Sequence, residues 1–194
     1  CTVYGFKRMS FASALKDACS ILFDWDRELL EGSTKYSREW REQVDEWWAT
    51  RLGISNLTPR MMLQYWGTDL VRENFHNDFW VASLENKLRN TNDDVVITDC
   101  RFVNEIAAIK NVGGITLRTH RGEDADWIHI AKKLNTSVDE LVKQQYKQEL
   151  EKLNIHPSEY SSVGLEYDYN IDNNQTIDHL HRQLDSIIRT KKVS

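Results

Sequence analysis

Short apolar runs that alternate with helical stretches constrain the fold of this chain more than any other feature of its sequence. Residues 95–98 (VVIT) are largely apolar and β-branched, which is typical of a strand buried on both faces, as in parallel sheets. A Gly113-Gly114 turn precedes a second expected buried strand at 115–119, and further strands are expected at 5–11 and 167–171. Because helices separate these strands, the sequence predicts an α/β fold with a parallel sheet flanked by helices.

The expected helices begin and end at recognisable capping residues. Thr58 followed by Pro59 is typical of a helix start, with Thr as the N-cap and Pro at the first helical position. Gly53 is expected to end the preceding amphipathic helix as a C-cap, and Asn77 or Asp78 to cap the following one. We expect helices at residues 12–25, 38–52, 58–73, 78–88, 103–111, 126–134, 137–153 and 176–188.

The domain organisation follows from length and from the lack of linkers. A chain of 194 residues fits one domain with a sizeable core. The sequence contains no internal repeat and no low-complexity linker, so it predicts a single domain over residues 1–194. The helical and highly charged stretch at 122–155 is expected to form a lid-like insertion.

Composition and charge argue against several classes of protein. The net charge of −5 and the pI near 5.7 disfavour a general duplex DNA or RNA binder, but they leave room for a small basic pocket for one nucleotide. No apolar run reaches membrane-spanning length and no signal peptide is visible, so no membrane partner is expected. The widely spaced Cys1, Cys19 and Cys100 argue against a disulfide framework or a zinc site and favour a reducing cytoplasm.

Tryptophan is unusually frequent in the first third of the chain. Large rings in helical stretches are typical of a buried core, and stacking on a nucleotide base is the less common role. We expect a helical core built from Trp25, Trp40, Trp47, Trp48 and Trp66.

Charged residues follow the two expected buried strands, where ligands bind in open parallel sheets. Asp99 and Arg101 come directly after the first strand. A carboxylate there can bind the water shell of a magnesium ion, and a guanidinium can grip phosphate oxygens. The alternative is a structural ion pair, and Glu105, four residues after Arg101, could simply hold the guanidinium. Arg121 lies nearest the tip of the second strand and is expected to reach the same site.

The helix expected at 58–73 carries a second group of polar side chains. Arg60 and Gln64 are four residues apart and share a face, and Arg72 follows further along. Two arginines on one helix could grip a monophosphate, whereas a solvated helix face is the commoner role for a lone arginine. The residues alone leave both interpretations open.

Four stretches of the chain match, in order, the motifs of one enzyme family. GFKRMSFASALKDAC (5–19) is similar to the motif GF-x-R-x-SFA-x-x-LK, and TPRMMLQYWGTDLVRENFHNDFW (58–80) is similar to TPR-x-x-LQ-x-x-GTD-x-x-R. VVITDCRFVNEIAAIKNVGGITLRTHR (95–121) resembles a D-x-R-F-x-NE block, and HPSE (156–159) with YDYNIDNNQTIDHL (167–180) resembles a closing segment. In these motifs and their order, the chain resembles the phage-type deoxynucleoside monophosphate kinases.

The resemblance implies an adenylate-kinase-like P-loop fold and an enzyme that transfers the γ-phosphoryl group of ATP, with magnesium, to a deoxynucleoside monophosphate. It implies a helical acceptor-binding region at 26–90 and leaves a homodimer open. Asp99, as the metal residue, and Arg101 match the strand-tip motif beside the phosphates, and Arg121 matches the arginine that begins the lid. The positions implied to bind the acceptor or shape its pocket are Lys16, Arg60, Gln64, Asp69 and Arg72.

One motif of the family does not occur in these 194 residues. Members begin with a strand, a Gly-x-x-x-x-Gly-Lys loop and a helix that ends just before the GF-x-R motif. The loop supplies backbone amides and a lysine for the β- and γ-phosphates of ATP. We therefore expect the coding sequence upstream of Cys1 to encode that strand and loop, within roughly 20 residues.

Two other functions stay open at this point. The chain could be a non-catalytic nucleotide-binding relative that has lost the loop, or another P-loop small-molecule kinase. The coding sequence upstream of Cys1 separates the first from a kinase, and the acidic net charge disfavours a DNA substrate for the second. A phage-encoded kinase of this class is expected in the cytoplasm of the host cell.

Overall fold

The chain folds as a mixed α/β protein, as predicted. The computed structural model describes residues 4–192, with the side chains of residues 4–190. The chain divides into two compact units, Cys1–Cys100 (unit 1) and Arg101–Ser194 (unit 2), and each is described by itself. The single domain over residues 1–194 stays a prediction.

Unit 1 is mainly helical, with one two-stranded parallel sheet among its described residues. Strand β1 (Lys7–Met9) pairs with β2 (Val95–Ile97), so that Met9 lies opposite Ile97. Between the strands lie α1 (Ser13–Phe23), α2 (Arg27–Glu31), α3 (Lys35–Arg41), α4 (Glu46–Leu52), α5 (Pro59–Gln64), a π-helical segment (Tyr65–Glu73) and α6 (Phe79–Leu88).

Strand β2 confirms the strand predicted at 95–98 but not its predicted burial. Its three residues are all only partly buried. Within residues 4–192 the strand pairs with β1 alone, so one of its edges has no partner strand to cover it. The parallel pairing was predicted correctly, whereas the prediction of a strand buried on both faces is wrong.

Large aromatic rings form the core of unit 1, as predicted. Phe23 and Trp25 stack with ring centroids 4.3 Å apart, and both are buried. Trp47 departs from the prediction because 61% of its surface is exposed. The other three predicted core rings pack against the buried cluster: Trp40, Trp48 and Trp66.

Asp45 divides the single helix that was expected at 38–52. Its carboxylate caps α4 by accepting a hydrogen bond from the Trp48 N–H at 3.0 Å, and it accepts another from the Trp25 indole N–H at 2.7 Å. The Asp45 N–H donates to the Leu57 carbonyl at 3.0 Å. Because Asp45 makes these contacts with an extended backbone, α3 and α4 are separate helices, and the prediction of one helix is wrong. Gly53 is the C-cap of α4, as predicted.

The helix predicted at 58–73 is confirmed in extent, but its second half has π geometry. It begins at the N-cap Thr58, as predicted, and α5 leads directly into the π segment. The Trp80 indole N–H donates to the Gly67 carbonyl within that segment at 2.8 Å. A Cβ at Gly67 would lie 2.8 Å from the Leu15 side chain. The missing side chain therefore lets the π segment pack closely against α1.

Unit 2 contains the second two-stranded parallel sheet of the described chain. Strand β3 (Leu117–His120) pairs with β4 (Tyr169–Asp172), so that Thr119 lies opposite Ile171. The helices of this unit are α7 (Val103–Asn111), α8 (Ile128–Thr136), α9 (Glu140–Lys152), α10 (Pro157–Tyr160) and α11 (Ile177–Lys192). Sequence analysis missed the short α10, and it predicted the other four within a few residues of their ends.

Strand β3 overturns the expected burial of residues 115–119. Three of its four residues are exposed, and the buried residue is Thr116, just before the strand. The Thr116 N–H and hydroxyl both donate to the Asp168 carboxylate, each at 2.7 Å. Side-chain hydrogen bonds therefore fasten β3 to the start of β4 in addition to the backbone ladder. Within residues 4–192, β3 and β4 form a sheet of their own and do not extend the β1–β2 pair.

The helical stretch predicted at 122–155 corresponds to α8 and α9. The Asn135 side-chain amide donates to the carbonyls of Tyr160 and Val163 at 2.7 and 2.8 Å, which ties α8 to the residues around the end of α10. None of the helices within residues 4–192 has the length and apolar character that a bilayer-spanning helix requires. One cluster of buried residues in unit 2 consists of Ile130, Ala131, Leu150 and Tyr160.

We predict that Asp45→Ala lowers the free energy of unfolding by about 2 to 4 kcal/mol, because it removes a helix cap and leaves the Trp25 indole without its acceptor. Urea unfolding followed by tryptophan fluorescence measures the change. Asp26→Ala is the matched control, since Asp26 caps α2 through Glu28 and Leu29 without binding a buried ring, and it should cost about 1 kcal/mol. Equal losses in the two variants would contradict the role assigned to the indole contact.

Candidate functional site

Asp99 lies just beyond β2 and holds the start of α1. Its carboxylate accepts hydrogen bonds from the Ser10 hydroxyl at 2.6 Å, the Phe11 N–H at 3.1 Å and the Ala12 N–H at 3.0 Å. The carboxyl ends of β1 and β2 meet at the same edge of a parallel pair, which is why a side chain after β2 reaches the residues that follow β1. Asp99 thus lies at the predicted strand tip, where these three hydrogen bonds have a structural role.

Glu31 gathers three cations from three elements of unit 1. Its carboxylate pairs with Arg8 of β1 at 2.8 Å, Lys16 of α1 at 3.1 Å and Arg27 of α2 at 2.9 Å. Lys16 is only 9% exposed, so its charge is partly desolvated and needs the carboxylate beside it. Of these residues, sequence analysis had selected Lys16 alone. The i, i+4 spacing of Arg27 and Glu31 was the one local signal of the group.

Burial raises the pKa of the Glu31 carboxyl, but the hydrogen bonds and charges of Arg27 and Lys16 outweigh it, so the pKa lies below its ordinary value. For Arg27, burial lowers the pKa of the guanidinium, and its bonds to Asp17 and Glu31 more than reverse that effect. Both groups are therefore held in their charged forms at neutral pH.

Arg60 extends this charged region along α5. Its guanidinium lies 3.2 Å from the Glu42 carboxylate, and 44% of its side chain is exposed. Arg41, at the end of α3, is close enough to feel the charges of Arg60, Glu42 and Glu31. It therefore connects the ion pairs of Glu31 with the Arg60–Glu42 pair. We call the following set the cation cluster: Arg8, Lys16, Arg27, Arg38, Arg41 and Arg60.

The other predicted acceptor residues lie near the junction of α5 and the π segment. Gln64 is the last residue of α5 and is partly buried, and Asp69 lies partly buried in the π segment. Arg72 is 7% exposed and donates to the Asn77 carbonyl at 3.1 Å, so it does not lie on a solvated helix face. That hydrogen bond holds the turn between the π segment and α6.

Arg101 and Arg121 belong to unit 2. The Arg101 guanidinium pairs with Glu159 at 2.5 Å, with half of its side chain exposed. Glu105 accepts hydrogen bonds from the backbone N–H groups of Arg101 and Phe102 at 2.7 and 3.2 Å, so it caps α7. Arg121 follows β3 directly and is exposed. Both arginines are thus at strand or helix ends where a ligand could reach them.

Comparisons with known proteins identify the class to which this chain belongs. The model of the deoxynucleotide monophosphate kinase family matches residues 32–184. A protein of Acanthamoeba polyphaga mimivirus, named as a candidate deoxynucleotide monophosphate kinase, is 30% identical over 200 residues, which cover 95% of this chain and 83% of the relative. The chain therefore belongs to the deoxynucleotide monophosphate kinase family, as its motifs indicated.

A second relative is similar over a shorter stretch. The deoxynucleoside-5'-monophosphate kinase of Escherichia phage T5 is 46% identical to this chain over 50 residues. Those residues cover 25% of this chain and 20% of the phage protein. The viral and phage relatives agree with the phage-type resemblance of the motifs.

We predict that Glu31→Gln destabilises the protein most at neutral pH. The folded-state pKa of Glu31 is depressed, so its charge stabilises the fold above the ordinary pKa of about 4.3 and this contribution is lost as the pH falls through the lower folded value. The difference in urea midpoint between wild type and variant should be large at pH 7 and should shrink below about pH 4. Glu39→Gln, in an exposed pair with Lys35, is the control and should show a small difference at pH 7. A difference for Glu31→Gln that stays constant down to pH 3 would contradict the assignment.

Proposed function

We propose that this protein is a deoxynucleoside monophosphate kinase that transfers the γ-phosphoryl group of ATP to a deoxynucleoside monophosphate and forms the diphosphate. The observation that carries the proposal is the family membership over residues 32–184. The cation cluster supports it, because a monophosphate carries close to two negative charges at neutral pH. In a chain with a net charge of −5, a concentration of cations in one place favours an anionic ligand.

The proposal assigns a role to each part of the chain. Residues 1–194 form one kinase domain of the P-loop nucleoside monophosphate kinase type, and residues 26–90 bind the acceptor. In that region Arg60 contacts the acceptor phosphate, and Gln64, Asp69 and Arg72 shape the pocket, while Lys16 of α1 is a further contact to the phosphate. Residues 122–155, with the helix pair α8 and α9, act as the lid. The enzyme acts in the cytoplasm, that of the host cell if a phage encodes it.

Magnesium is the metal that this chemistry uses, and Asp99 is the residue proposed to meet it. A carboxylate offers about four lone-pair positions, and three donors already use the Asp99 oxygens. No group of three His, Cys, Asp or Glu side chains within residues 4–192 is arranged to hold an ion. These residues fit a magnesium ion that is bound mainly by ATP phosphates and water, with Asp99 positioning one water. When bound, the ion neutralises charge on the transferring phosphoryl group.

Arg101 and Arg121 are proposed to stabilise the charge on the phosphoryl group during transfer. The Arg101 guanidinium is half exposed and pairs with a carboxylate that a phosphate can replace as its partner. Arg121 is exposed next to β3, and a guanidinium there can reach a ligand beyond the strand end. Phosphoryl transfer depends mostly on positioning and charge neutralisation, so two such cations suit it.

We predict that Arg101→Ala and Arg121→Ala each lower kcat on the order of 10³-fold in the full gene product, because each removes a cation from the transferring phosphoryl group. A coupled assay of nucleoside diphosphate formation from ATP and each of the four deoxynucleoside monophosphates measures the loss. Arg182→Ala, an exposed arginine on α11, is the charge-matched control and should keep wild-type kcat. Turnover at the wild-type level in either variant would remove that arginine from the mechanism.

We predict that Arg60→Ala raises KM for the deoxynucleoside monophosphate about tenfold, the equivalent of roughly 1.4 kcal/mol, and leaves KM for ATP nearly unchanged. Arg72→Ala should raise the same KM and also lower stability, because it leaves the Asn77 carbonyl without its donor. Steady-state titration of each substrate gives the two KM values of each variant, and urea unfolding gives the change in stability. An acceptor KM within about twofold of wild type for Arg60→Ala would place the acceptor site elsewhere.

A further inference from the structure

Arg41 is the one member of the cation cluster whose guanidinium has no partner within residues 4–192. Its Nε is buried and makes no hydrogen bond to any described residue. Every other cation of the cluster is paired or bonded: Arg8, Lys16, Arg27 and Arg60 bind carboxylates, and Arg38 donates to the carbonyls of Gly32 and Ser33 at 3.4 Å. A buried donor without a partner costs free energy that the fold must offset elsewhere.

The Gly32 turn makes room for the Arg41 guanidinium. Gly32 ends α2 with a φ of 68°, a left-handed conformation that favours glycine. A Cβ at position 32 would overlap the guanidinium carbon and the terminal nitrogens of Arg41. The guanidinium therefore lies directly against the backbone of the turn that follows Glu31. The backbone conformation and the absence of a side chain at Gly32 together define where Arg41 can lie.

The electrostatic surroundings of Arg41 favour an added anion. Burial lowers the pKa of the guanidinium, and the charge of Arg60 lowers it further. Glu42 and Glu31 act in the opposite direction, but neither forms an ion pair with Arg41, and Arg38 adds a further repulsion. The cluster thus holds six cations around two carboxylates, with Asp17 paired to Arg27 on its other side. A dianion placed among Arg38, Arg41 and Arg60 would relieve the repulsion between these cations.

We propose that Arg41 is a phosphate-binding residue that, together with Arg60, grips the phosphomonoester of the acceptor nucleotide. The proposal rests on the proposed function for the identity of the ligand, and on the unpartnered guanidinium for the position of the site. A guanidinium binds phosphate through two parallel N–H···O bonds, which a lysine cannot reproduce. Arg41 therefore orients the phosphate as well as neutralising its charge. Glu31 keeps Lys16 and Arg27 in place through its ion pairs.

The test compares Arg41→Met and Arg41→Lys with wild type and with Arg51→Met. Arg51 lies exposed on α4 and is the charge-matched control. Isothermal titration calorimetry measures the Kd for each of the four deoxynucleoside monophosphates and for inorganic phosphate, and thermal unfolding measures the stability of the free protein. We expect Arg41→Met to weaken monophosphate binding on the order of tenfold or more, and Arg41→Lys to recover only part of it. Arg51→Met should bind as wild type does.

The stability of the free protein separates a ligand role from a structural one. Removing a repelled cation whose buried Nε has no hydrogen-bond partner within residues 4–192 should leave the melting temperature of Arg41→Met unchanged or raise it, while the upward shift produced by the monophosphate falls. A structural arginine would behave in the opposite way, with a lower melting temperature and an unchanged Kd. That result, or wild-type Kd values in Arg41→Met, overturns the proposal.

Failure of the proposed function gives a different pattern. If the wild-type protein binds monophosphate or phosphate through Arg41 but forms no diphosphate from ATP, the kinase proposal fails and the Arg41 site stands. If turnover is normal and the acceptor KM of Arg41→Met equals that of wild type, the kinase proposal stands and the Arg41 site fails. If the wild-type protein neither binds these ligands nor turns over, both are overturned.

Discussion

The carboxylate of Glu31 organises the part of unit 1 to which the candidate acceptor site belongs. It binds one cation each from β1, α1 and α2, and so fixes the position of three elements with a single side chain. Lys16 is nearly buried, and a cation in that position is tolerable only next to a counter-charge. Removing Glu31 would leave three cations repelling one another, whereas removing any one of them would leave the carboxylate with two partners.

Asp99 and Asp45 show that two aspartates of unit 1, one at an expected site and one without an expected function, can both hold the fold together. Asp99 follows β2 at the position where a metal-binding residue is expected, yet three donors from residues 10–12 occupy most of its lone pairs. Asp45 carries no expected function, yet it separates two helices and accepts a hydrogen bond from a core indole. Residue type and position along the chain cannot distinguish these roles, because the donors that satisfy each carboxylate come from distant residues.

Local signals predicted helix ends well and burial poorly. Thr58, Pro59 and Gly53 act through their own backbone conformation, so sequence alone placed these helix ends. The burial of β2 and β3 was overestimated because it depends on which strands and helices pack against each side, and β-branched composition does not specify that. The helix expected at 38–52 was divided by a contact between Asp45 and Trp25, twenty residues apart. Lys16 was found through the family motifs and Arg60 already through its position on the expected helix, while Arg8, Arg27 and Arg41 became visible only in three dimensions.

Three arginines of unit 1 differ in the partners that they already have. This difference ranks them as candidate phosphate-binding residues. Arg72 is buried and donates to a backbone carbonyl that would be left unsatisfied if the side chain moved, so its role in the fold is hard to separate from any role in binding. Arg60 is half exposed and pairs with a surface carboxylate, an interaction worth little in water and easily exchanged for a phosphate. Arg41 has no partner within residues 4–192 to give up, and it bears repulsion from Arg60 and Arg38. A phosphate therefore stabilises Arg41 most, because the cost of placing that cation is already part of the unliganded fold. Natural proteins retain such unfavourable groups where binding requires them, and a stabilising replacement at such a position usually costs function.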